Sequence, residues 1–241
     1  MKKKNLLVGI VLLISILMIF LIKRGNLLFV SKNDIVGVDI SHYQGNVNFE
    51  KMEKDNIKFA FVKATEGSKY KDDMYEINME RAKNSDIYIG SYHFFSAKSS
   101  GKKQATNYIK TVGDLAGKLL PVVDVEVYDS DDGTYDVVDE LNEYISIIEE
   151  QYGVKPIIYT TIKNYNKYIK NNFKECPLWI RSIYFHANFI TKKWTFWQYS
   201  DREIKDYYQG EEECIDMNVF NGSLEELKKM IINNTKNNHK R

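Results

Sequence analysis

The chain has 241 residues, with 34 basic against 33 acidic side chains and a net charge of +1. Such a length suits one large α/β barrel or two small domains, and the charge balance leaves no electrostatic footprint for nucleic acid. The four histidines, His42, His93, His186 and His239, show no paired ligand spacing, so no metal or other cofactor is expected.

In chain order, Met1-Lys2-Lys3-Lys4 precedes an apolar run from Leu6 to Ile22, broken only by Gly9 and Ser15 and closed by Lys23-Arg24. Its seventeen residues are at the low end for a membrane span. No Ala-x-Ala cleavage pattern follows, and the leading lysines favour a cytoplasmic N-terminus. The expectation is an uncleaved single-pass transmembrane helix with the remainder exported; secretion after signal cleavage is the alternative. Residues 1–24 thus read as stub and anchor, 25–34 as a short linker, 35–232 as one barrel domain and 233–241 as a polar tail. Extended, the stretch Lys23 to Asp34 reaches at most roughly 40 Å.

From residue 35 strands and helices alternate. Strands are predicted at Ile35–Ile40, Phe59–Ala64, Ile87–Phe95, Leu119–Val127, Ile157–Thr160 and Leu178–Ile180, with helices over Phe49–Asp55, Met74–Asn84, Lys102–Val112 and Tyr165–Lys170. The clearest helix carries Val137, Val138, Leu141, Tyr144, Ile145 and Ile148 at helical spacing. Two more strands, Trp194–Tyr199 and Ile215–Phe220, follow without helices between them, and Ser223 caps a final helix. The pattern is α/β, an irregular (β/α)5(β)3 TIM-like barrel preceded by the N-terminal transmembrane helix.

In a parallel barrel, chemistry collects where strands end. Asp39, Asp124, Glu126 and Asp216 are read as late on strands one, four and eight, with Glu66 and His93 late on two and three. Asp124 and Glu126 share one strand face, roughly 6.5 Å apart. Two like charges at that spacing repel by about 2.5 kcal/mol at an effective dielectric near 20, enough to hold one acid protonated beside an ionised neighbour. That is equipment for cleaving a glycosidic bond. Cys176 precedes strand six and Cys214 strand eight, so both fall at the opposite rim, and in an exported domain a Cys176–Cys214 disulfide is expected.

Val38-Asp39-Ile40-Ser41-His42-Tyr43-Gln44, Phe61-Val62-Lys63-Ala64-Thr65-Glu66-Gly67, Gly90-Ser91-Tyr92-His93-Phe94 and Pro121-Val122-Val123-Asp124-Val125-Glu126 occur in this order. With Leu178-Trp179-Ile180, Trp197-Gln198-Tyr199 and Ile215-Asp216-Met217-Asn218, they closely resemble the family 25 glycoside hydrolases, the muramidases (lysozymes) of bacteria and their phages. The resemblance covers residues 35 to 225. It implies a barrel of eight strands and five helices that cleaves the β-1,4 bond from N-acetylmuramic acid to N-acetylglucosamine. Glu126 resembles the proton donor, Asp124 its charged partner, and Asp39 and Asp216 the flanking acids. Tyr92, Tyr159 and Trp197 match aromatic positions of the sugar groove, and Glu66 and His93 are read as further substrate-binding positions. Where the family usually has Trp-Ile-Ala, this chain has Trp179-Ile180-Arg181; a cation near the groove either binds wall carboxylates or points outward, and the second is expected. Because Asp124 and Glu126 approach the sugar from one side, the substrate's own N-acetyl group is the expected nucleophile. The expected partners are peptidoglycan glycan strands and, through residues 6–22, the membrane; no protein partner is legible. A catalytically silent barrel that only holds peptidoglycan is the alternative.

Overall fold

The computed structural model describes residues 8–15, 25–128 and 135–233. Eight strands close into one barrel: β1 Ile35–Ile40, β2 Phe59–Glu66, β3 Tyr88–Phe94, β4 Val122–Val125, β5 Ile157–Thr161, β6 Leu178–Arg181, β7 Phe196–Glu203 and β8 Ile215–Phe220. Neighbours pair in chain order, and β1 joins β2 on one side and β8 on the other. Helices α1 Phe49–Lys54, α2 Tyr75–Ala82, α3 Gly101–Val112, α4 Val137–Tyr152 and α5 Ile162–Asn164 occupy the first five crossovers. The last of these runs on as a π-helical turn over Tyr165–Ile169. The α4 helix shows why the alternation was readable. Asp136 accepts the N–H groups of Val138 and Asp139, Gly153 at φ 71° ends the helix, and the periodic apolar face is buried.

Packing falls into two layers. Outside the barrel, the helices cover the outward faces of the strands. Inside, Phe59, Phe61, Trp179, Phe196 and Phe220 fill the lumen. Two glycines make room for them. A Cβ on Gly37 would meet the Phe59 ring at 2.4 Å, and one on Gly90 would meet the Phe61 ring at the same distance. A short helix, α6 Leu224–Lys228, and the following Met230-Ile231 pack on this inner cluster and plug the end of the barrel where the parallel strands begin. The other end stays open.

The last strand departs from the expected parallel barrel: β8 runs antiparallel to both β1 and β7. The physical reason lies in the connection. A parallel neighbour needs a crossover of about a dozen or more residues, usually a helix. Between β7 and β8 the chain makes only a loop and a two-residue strand, Tyr208–Gln209, paired with Asn46–Val47. Asp216 is therefore second in its strand rather than late, and the reversal brings it opposite Asp39. The same reversal corrects the disulfide. Cys214 lies at the open rim, whereas Cys176 precedes β6 at the plugged end, and both are free thiols.

Of the apolar run 6–22, residues 8–15 are described and helical; the rest of it lies outside the described residues. Among the described residues no helix is long and apolar enough to cross a membrane. The tail 233–241 also lies outside them, save Asn233. The expected linker is not a free strap. Gly25–Leu28 forms a 3-10 turn, and the buried Asn26 donates from Nδ2 to the carbonyls of Ser182 at 2.7 Å and Tyr199 at 3.1 Å. Val30 packs against the outer core.

Candidate active site

Period-two alternation sends every second side chain of a strand into the barrel. On β1, β7 and β8 this sets Asp39, Gln198, Asp216 and Asn218 into one polar patch near the open end. Gln198 Nε2 donates to Asp39 Oδ2 and to Asp216 Oδ2, each at 3.1 Å. Asn218 Nδ2 donates to the same Asp39 oxygen at 2.7 Å. Each amide oxygen is engaged in turn: the Tyr159 hydroxyl donates to Gln198 Oε1 at 2.9 Å, and Trp179 Nε1 to Asn218 Oδ1 at 2.9 Å. With both ends of each amide used, neither can turn without losing buried bonds, so the two acids are held in fixed positions.

Across the opening stands the end of β4. Asp124 is its third residue and Glu126 lies one residue beyond it. Asp124 is buried, and its Oδ1 has no hydrogen-bond partner. Glu126 accepts the Tyr128 hydroxyl at 3.0 Å and keeps part of its surface open. These acids, with Tyr92, Tyr159 and Trp179, line a cleft of about 400 Å³. From β2, Lys63 also faces the cleft while donating to Glu66 at 2.7 Å.

Crowding acids in a poorly solvated cleft raises their affinity for protons. Burial lifts Asp124 well above the usual carboxylate range, the Glu126 charge adds to the lift, and Lys63 opposes it. Burial, with the charge of Asp39 behind it, pushes Asp216 up to about 9. Asp39 is pushed to about 6 by burial, while hydrogen bonds from Asn218, Gln198 and Asp216 pull it back. Tyr92 stays a neutral donor, because burial and then Asp39 and Asp124 raise its phenol well above the ordinary value.

The comparisons with known proteins give this geometry a family. The model for glycosyl hydrolases family 25 matches residues 38–206. A family 25 glycosyl hydrolase structure from Bacillus anthracis is 39% identical, covers 84% of this chain and 95% of its own, and superposes with a TM-score of 0.76. The chain belongs to glycosyl hydrolase family 25. A bacterial lysozyme structure from Streptomyces coelicolor is 28% identical at a TM-score of 0.73, covering 83% of this chain and 98% of its own. Lysozyme M1 of Streptomyces globisporus is 31% identical over 208 residues, 80% of this chain and 70% of that protein.

In this family 25 glycoside hydrolase, six of the anticipated positions do not stand as expected. Trp197 is buried on the outer face, donating from Nε1 to the Ser182 carbonyl and packing on His186 and Trp194. Its neighbour Gln198 points inward, so strand alternation puts Trp197 outside. His93 is buried outside the barrel, bonded to Thr65 Oγ1 at 2.7 Å and Gln104 Oε1 at 3.1 Å and stacked on Tyr144; burial lowers it to about 4. Glu66 is not in the cleft lining but holds Lys63, which is. Arg181, expected outward, lines the cleft, and Cys176 and Cys214 are unpaired as described above. Gln198, Asn218, Trp179 and Lys63 were not anticipated as site residues. Their signal was available in alternation, since Trp179 and Arg181 flank Ile180 and must share a face.

Proposed function

We propose that this glycoside hydrolase cleaves the β-1,4 bond between N-acetylmuramic acid and N-acetylglucosamine in peptidoglycan, with Glu126 as general acid and the substrate's acetamide as nucleophile. Names of relatives, lysozyme M1 among them, support the substrate class. The observation that carries the mechanism is the unpartnered, buried Oδ1 of Asp124 beside Glu126. An acetamide N–H donated to that oxygen favours the Asp124 anion, so the proton that burial keeps on Asp124 in the free enzyme passes to Glu126 when substrate binds. Held there, the acetamide turns its carbonyl oxygen to the anomeric carbon. That oxygen forms the new bond to carbon as the glycosidic bond breaks, and the proton of Glu126 goes to the departing oxygen. Water, giving its proton back to Glu126, then opens the cyclic intermediate from the face the leaving group vacated, so configuration is retained. Asp39 and Asp216, fixed by Gln198 and Asn218, bear on the sugar as orienting groups.

Proton NMR of the first products tests this reading: β anomer is expected at the new reducing end, and glycan de-N-acetylated at the muramoyl residue should resist cleavage. Glu126→Gln should lower turnover about 10²–10⁴-fold with the fold intact. An initial α product overturns the acetamide route and points to a directly activated water, and near-normal turnover in Glu126→Gln overturns the assignment of the acid. For location, we read residues 6–22 as a membrane anchor that keeps the barrel outside the cell beside its substrate; the length and apolarity of the run and its leading lysines support this.

A further inference from the structure

Arg181 ends β6 and lines the same cleft as Glu126 and Asp216. A guanidinium beside such acids would ordinarily pair with them, yet among the described residues its ion-pair partner is Asp201, with Nη2 at 2.7 Å from Oδ2. Asp201 is shared. Its other oxygen takes Arg202 Nε at 3.1 Å, and Arg202 in turn lies over the Tyr184 ring and donates to the Tyr184 hydroxyl at 3.0 Å. One carboxylate thus serves two guanidiniums, so Asp201 does not by itself neutralise Arg181. The pairing with Asp201 holds one arm of the Arg181 fork to the flank and leaves its remaining N–H donors for a ligand. About a third of the side chain is exposed (32%), so a ligand can reach it without displacing protein.

The chemistry of the substrate supplies a ligand. In the glycan, only the muramoyl sugars carry an acidic substituent, a lactyl group whose carboxyl is either free or extended by a peptide with carboxylates of its own. We propose that Arg181, braced by Asp201, is a carboxylate-binding subsite that takes this substituent and so sets which sugar of the strand lies at Glu126. The proposal rests on the peptidoglycan reading above and adds a specificity element to it.

Binding separates the two. In a Glu126→Gln background, where ligand is not consumed, affinity is measured for peptide-stripped glycan fragments and for peptide-bearing fragments, each before and after conversion of its carboxylates to amides. Amidation should weaken binding about tenfold, as expected for loss of a charge-assisted bond. Adding Arg181→Gln should weaken the unmodified ligand by the same factor with no further loss on the amidated one, and Arg181→Lys should restore part of it. A loss confined to peptide-bearing fragments assigns the carboxylate to the peptide; a loss on stripped fragments assigns it to the lactyl group. Equal affinity for native and amidated ligands overturns the proposal, as does an Arg181→Gln loss of equal size on both, or no binding at all. Failure of the muramidase reading appears elsewhere, as absent cleavage by the unmodified chain.

Discussion

Asp216 shows what a single residue in this cleft costs the fold. Its carboxyl holds a proton up to about 9, because burial and the charge of Asp39 both disfavour the anion. The unfolded chain releases that proton near the ordinary value of 3.8. Between these two pH values the native state binds more protons than the unfolded state, so stability falls as pH rises. Asp216→Asn keeps the shape and removes the titration. It should raise the melting temperature at pH 8 by about 2–4 °C or more for each kcal/mol recovered in a domain of this size, with the gain vanishing toward pH 4. Calorimetry across that range decides it: a gain that does not change with pH would mean that the proton on Asp216 carries no stability cost. On the roles proposed above, in which Asp216 orients and Glu126 donates, cleavage should fall less than in Glu126→Gln. The acids of this site were legible because each interrupts or ends an apolar run. The amides that hold them were not. Gln198 and Asn218 lie 20 residues apart on two strands, and only their pairing in the closed barrel puts one beside the other.

At the scale of elements, β-branched and aromatic runs marked all eight strands, and helical spacing from Val137 to Ile148 marked all but the last turn of α4. Direction is what a run of apolar residues does not encode. The Ile215–Phe220 strand reads the same either way, and its reversal follows from a connection before it that is too short for a crossover. Two opposite outcomes come from that one feature. Asp216 reaches the cleft even though it was placed at the wrong end of its strand, and the expected Cys176–Cys214 bridge fails because its two halves lie at opposite ends of the barrel. Denatured, unreduced protein recovered from an oxidising compartment should therefore titrate as two thiols, and its melting temperature should not move with reductant. One blocked pair in that titration would place the strands differently from β8 as described. The Cys176 thiol, raised to about 11 mainly by burial, should react slowly in the native state.

For the whole molecule, the segment after the apolar run matters more than its length implied. Counted as free chain, Lys23 to Asp34 gave a leash of roughly 40 Å. With Asn26 buried under Ser182 and Tyr199, only Lys23 and Arg24 remain between Ile22 and the docked turn, a span of at most roughly 11 Å. On the anchor reading proposed above, a barrel so mounted would swivel but not range, and its own height above the bilayer would set the depth of wall it reaches. Full-length protein should fractionate with membranes and, in vesicles, leave most of an added thick sacculus intact. Inserting about 20 Gly/Ser residues after Arg24 adds a coil of roughly 25 Å and should release more glycan from the same sacculus. Equal release with and without the insert would show that the Asn26 dock opens in the membrane-bound protein. If the proposed anchor holds and the dock stays shut, wall thickness itself becomes the regulator: each molecule would exhaust the layer within its radius and then fall idle until growth delivers new strands.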